Sequence, residues 1–210
     1  MLTSRILIAA SLWLLAVLPV QATLLEISPD LPTMEYGSLA GQGIQYNAAS
    51  GAFTATGLPL SAQFTSLGGK QLITGAAGLS IHLQVDASGV ASSGGAAHDF
   101  ALWGEVSHAG NLYSGMLLTG SLLEFGFLDA SIIVDAFDFL FDVTGGSMAS
   151  LFGSGQIGMI MIAERSTFTD FTQNFASTRI KGTIGRVPEP ATLWLAGLAL
   201  GAIGVMRRRA

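Results

Sequence analysis

Residues 136–143 read Ala136-Phe137-Asp138-Phe139-Leu140-Phe141-Asp142-Val143. On an extended chain Phe137, Phe139, Phe141 and Val143 fall on one side and Asp138 and Asp142 on the other, the period of two that a half-buried strand requires. Residues 78–86 (GLSIHLQVD) repeat the device, with Leu79, Ile81, Leu83 and Val85 against Ser80, His82, Gln84 and Asp86. Weaker alternation marks residues 44–47, 52–56, 62–65, 100–106, 122–128, 158–162 and 179–184, about nine strands in all. Asn47 to Gly51, Asp86 to Gly89 and Thr144 to Gly146 supply turn chemistry between them. No stretch between the two apolar ends reads as a long amphipathic helix. Short connections and many alternating strands predict one antiparallel all-β domain, a sandwich or a barrel. Residues 92–97 (SSGGAA) are a loop within that single domain.

The domain spans residues 23–186 and carries thirteen acidic residues against five basic ones, a formal charge of about −8. Nucleic acid is excluded as a partner, because binding it needs a basic footprint. The chain has no cysteine, so disulfides, thiolate metal sites and cysteine nucleophiles are excluded and a hydrophobic core must supply the stability.

Both ends carry targeting patterns. At the start, Arg5, an apolar run over residues 6–18 and Val20-Gln21-Ala22 give the three regions of a signal peptide, residues 1–22, with cleavage between Ala22 and Thr23. At the other end, residues 187–210 place Pro188-Glu189-Pro190 before an uncharged run over residues 191–206 and then Arg207, Arg208 and Arg209. The prolines hold their segment extended and open to a processing enzyme. As a helix the apolar run would reach roughly 24 Å, a minimal transmembrane span. The arginines would stay on the cytoplasmic side and Trp194 near the opposite interface.

Val187-Pro188-Glu189-Pro190-Ala191-Thr192, the Leu/Ala/Gly-rich run and the three arginines resemble the PEP-CTERM sorting signal of Gram-negative bacteria that make extracellular polysaccharide. The resemblance implies an exosortase, a membrane-embedded cysteine peptidase, as processing partner, and signal peptidase before it. It also implies a precursor held transiently in the inner membrane and a mature form at the cell surface or in the exopolysaccharide matrix. The run from Phe137 to Ser147 is similar to other exported domains with such tails, which implies an all-β module and no particular chemistry.

Motifs that suggest catalysis are isolated. Gly153-Ser154-Gly155-Gln156-Ile157-Gly158 satisfies G-x-G-x-x-G, but Met159 to Ile162 after it reads as a strand, whereas a dinucleotide needs a helix there. His82, His98 and His108 have no metal-site spacing, and a catalytic set would need them to converge with Asp99 or Glu105. Asp138 and Asp142 are the weak calcium candidates; four residues apart on a strand they lie roughly 13 Å from each other, so loop oxygens would have to complete a site. No cofactor is expected.

The leading reading is an exported, non-enzymatic surface or matrix protein. Two others stay open: a carbohydrate-binding module using Trp103 and Tyr113 as stacking rings, and a secreted hydrolase.

Overall fold

A computed structural model describes residues 23–131, 134–153 and 155–188. The expected signal helix, the apolar tail and its basic cluster lie outside these residues. No helix among the described residues is long and apolar enough to cross a membrane.

The described residues form eleven strands and one helical turn: β1 (Asp30–Gly37), β2 (Gly43–Asn47), β3 (Ala52–Gln63), β4 (Gln71–Leu72), β5 (Thr74–Val85), β6 (Ala91–Ser93), β7 (Phe100–His108), β8 (Asn111–Ser131), β9 (Val134–Gly145), α1 (Ala149–Phe152), β10 (Gln156–Ser166) and β11 (Phe175–Arg186). Every pairing is antiparallel, and the single sheet closes on itself because β1 and β2 both bridge β3 and β11. β1 takes the upper half of each neighbour and β2 the lower half, so the two share one strand position. β4 and β5 share the next position beside β3, and β6 and β7 share the one beside β5. Eleven strands thus fill eight positions of an up-and-down barrel, and the choice between sandwich and barrel resolves to the barrel.

Eight strands enclose a space that side chains can fill. Here they do so with aromatic rings. Phe137, Phe139 and Phe141 are fully buried, as their alternation predicts, and meet Phe53, Phe100 and Phe175 from across the lumen. Below them the 167–174 loop folds inward, where Phe168 and Phe171 meet edge to face at 5.1 Å. Tyr46 Oη shares its proton between Val85 O at 2.9 Å and Phe171 O at 3.1 Å, which ties that plug to the wall. Above, Met148, just before the α1 turn, and Phe152 within it close the other mouth. Outward positions such as Thr56, Gln84, Glu105 and Arg179 are polar and exposed, the reverse of a lipid-facing barrel.

Three departures from the sequence reading have local causes. Residues 52–56 and 62–65 belong largely to one strand, β3, because Pro59 sits beside a bulge at Leu60 and the chain passes through without a break in direction. β8 runs for 21 residues, and its alternation is hidden because Leu117 and Leu123 are extra residues at bulges. β1 was not among the expected strands: Pro32 and Gly37 leave Met34 and Tyr36 as its only large inward side chains. The expected turns at Asn47 and Asp86 form as read, with Asp86 Oδ1 accepting from Ser88 N at 2.8 Å and Val90 N at 3.0 Å.

Candidate functional site

The chain enters and leaves the barrel at one end. Before β1, residues 23–29 run as an extended strap obliquely over the outer wall, crossing β8, β9, β10 and β11 in turn. Glycines floor the crossing. A β-carbon on Gly126 would stand 2.7 Å from Thr23 O and 3.0 Å from Leu25 N; one on Gly158 would overlap Ile27; one on Gly185 would stand 2.7 Å from Pro29 Cβ. Leu25, Ile27 and Pro29 turn partly inward and Glu26, Ser28 and Asp30 outward; the phase shifts at Leu31, so that β1 turns Pro32, Met34 and Tyr36 inward.

Asp138 lies beneath the strap. It points to the outer face, as its alternation predicts, yet it is buried because the strap covers it, and its carboxylate accepts the Leu25 backbone N–H. Burial raises its pKa, and the Leu25 bond opposes that rise. The expected solvated acidic face is therefore present at Asp142, which is exposed, and absent at Asp138. Asp138 also pushes up the pKa of Tyr36, though burial is the larger cause. Tyr36 reaches across Gly182 and donates to Ile160 O at 2.9 Å.

The tail departs beside this strap. Arg186 pairs with Asp30 at 3.2 Å, and Asp30 is held below the ordinary aspartate value first by the Leu31 N–H and then by that guanidinium. Val187 donates its N–H to Gln156 O at 3.0 Å and lies with Ile27 over Gly158. Strap residues 25–30, Glu124, Leu140, Val187 and Pro188 line a groove of about 670 Å³. Two segments read separately in the sequence, the first residues after the expected signal cleavage and the first residues of the tail, thus form one surface. Thr23 begins the strap and Pro188 edges the groove; Ala22, Glu189, Pro190, Arg207, Arg208 and Arg209 lie outside the described residues.

The remaining candidates do not converge. Trp103 packs on the outer wall, its ring over Gly78, whereas Tyr113 is in register with inward Val106 and packs against the core, so the two rings do not share a face. His82 is on the β5 wall, His98 on an exposed loop, and His108 stacks on Phe64 at 4.0 Å. Asp99 is buried and spoken for: Ser93 Oγ donates to it at 2.6 Å, Gly94 N at 3.3 Å and Leu122 N at 2.9 Å, which staples the 94–99 loop to β8. Asp142 and Asp138 occur in no cluster of three or more metal-ligating side chains among the described residues. Gln156 opens β10, a strand, so Gly153 to Gly158 lead into sheet as the sequence indicates.

No curated protein and no solved structure matches the chain. A family model matches residues 186–210, the PEP-CTERM protein-sorting motif, so the segment that leaves the barrel at Val187 and Pro188 is the sorting tail of an exosortase substrate.

Proposed function

We propose that this barrel is a non-enzymatic surface or matrix protein: exported, freed of residues 1–22 by signal peptidase, released from the inner membrane by exosortase near Pro188 to Pro190, and retained in exopolysaccharide or at the cell surface. The sorting motif carries the export and processing steps. Retention outside the cell as a structural component is supported by the barrel itself. Its lumen is filled by phenylalanine side chains, and among its buried carboxylates Asp99 is consumed in fold-stabilising bonds.

Fractionation of the native host tests this reading. The mature protein is expected in the matrix and surface fractions when the sorting peptidase is active, and in the inner membrane when it is deleted. Recovery from the cytoplasm, or from the inner membrane in both strains, overturns it.

A further inference from the structure

The position of the tail constrains how the anchored precursor stands on its membrane. Gly185, Thr33 and Gln63 are level across β11, β1 and β3, so the tail exit and the loop that follows β3 belong to the same end of the barrel. From that rim rises residues 64–70, with Leu67 at its tip 99% exposed. Phe64 of this loop stacks on His108, which places it beside the β7–β8 hairpin and its outward Leu112, 66% exposed. Leu72 of β4, two residues beyond Lys70, is 74% exposed. Leu67, Leu72 and Leu112 are the three most exposed large hydrophobic side chains among the described residues, and all three belong to this end of the barrel.

The tether supplies a reason for that placement. Val187 is still hydrogen-bonded to the barrel, and the apolar run begins at Ala191. Four residue steps of extended chain span at most about 14 Å. The opposite mouth, with the 86–89 turn, lies a full strand length further away. With the barrel upright, the rim lies within that reach of the bilayer and the opposite mouth does not.

We propose that in the anchored precursor the rim formed by Leu67, Leu72 and Leu112 seats on the phospholipid surface of the inner membrane, holding the barrel upright with the groove at Val187 and Pro188 facing the headgroups. This rests on the anchored precursor of the preceding section. The short tether keeps the rim at high effective concentration near lipid. Three leucines are too small an apolar surface to hold a domain of charge about −8 to an anionic leaflet once the tether is cut. Tail cleavage and detachment from the membrane are therefore one event.

The absence of cysteine makes the test direct. Leu67→Cys, Leu112→Cys and, as the far-end control, Ala87→Cys are labelled with a polarity-sensitive fluorophore in the full-length chain. Each is reconstituted into vesicles of phosphatidylethanolamine with a minor fraction of phosphatidylglycerol. The vesicles are floated, then probed with nitroxide lipids and an aqueous quencher. The proposal expects flotation, lipid quenching several-fold stronger at residues 67 and 112 than at 87, and the reverse order for the aqueous quencher. Flotation with residues 67 and 112 as wet as 87 overturns the seated rim and leaves the anchor standing. Shielding from both quenchers overturns it in favour of contact between copies. Failure to float overturns the anchored precursor and the proposal with it.

Discussion

Val187 donates its backbone N–H to Gln156 O at 3.0 Å, one residue before the sorting motif's first proline. That bond extends the β10–β11 ladder by one step beyond Arg186, and the Val187 side chain then meets Ile27 of the strap above Gly158. The folded cargo therefore ends where its sorting tail begins, with no linker between them. A peptidase that grips Pro188 to Pro190 works against the barrel wall, and residues upstream of Val187 reach it only if the end of β11 is pulled from its partners.

The strap depends on bare glycine beneath it. Gly126→Val brings side-chain atoms against Thr23 O and Leu25 N, groups of the strap backbone that cannot rotate away. The variant is expected to lose about 1–3 kcal/mol in urea unfolding and to become sensitive to proteolysis within residues 23–29, while the near-ultraviolet signal of the phenylalanine core persists. A strap as protease-resistant as wild type would contradict the docking.

Gly182 is a stricter case. A β-carbon there would overlap the Ile160 carbonyl and stand 2.7 Å from Tyr36 Oη. Because the obstacle is backbone of the neighbouring strand, Gly182→Ala is expected to cost about 2–3 kcal/mol. Tyr36→Phe removes only the bond to Ile160 O and is expected to cost about 1 kcal/mol. Comparing the two unfolding midpoints separates steric exclusion from the lost hydrogen bond.

Much of this fold is legible in the sequence. Phe137, Phe139 and Phe141 alternate without interruption, so β9 can be read from its residues, and the sorting tail can be read because its three signals are contiguous. Alternation fails where the chain bulges: Leu117 beside Leu118 and Leu123 beside Leu122 put adjacent apolar residues into β8 and mask a long strand. The strap and groove were not legible. Leu25, Ile27 and Pro29 carry a short alternation, but nothing local announces that glycines from three distant strands lie under it or that Val187 is its neighbour. Asp138 shows the same limit, since its outward direction follows from periodicity and its burial follows from a segment more than a hundred residues upstream.

Asp138 gives the strap a pH dependence. Burial raises its folded pKa above the ordinary aspartate value of 3.8. The native state therefore holds a proton that the unfolded chain releases, and the resulting stability is complete below 3.8 and lost as pH rises through the folded value. Asp138→Asn keeps an acceptor for the Leu25 N–H without the buried charge. Its stability relative to wild type is expected to be flat in acid and to climb as pH passes through the raised pKa. A mutant curve parallel to wild type at all pH would show that Asp138 is not desolvated. Asp135, whose pKa burial also raises, stays in both proteins and cancels in the comparison.

The exposed ion pairs are expected to matter little. Lys70 with Glu35, Lys181 with Glu164, and Arg186 with Asp30 are all substantially solvated. Arg186→Ala is expected to change unfolding free energy by less than about 1 kcal/mol, an effect that shrinks further at high salt.

The most direct measurement is the intact mass of the protein isolated from its native host with an active exosortase. A chain that begins at Thr23 and ends between Val187 and Pro190 is the predicted product. A mass that retains Met1 and Ala210 would contradict the account.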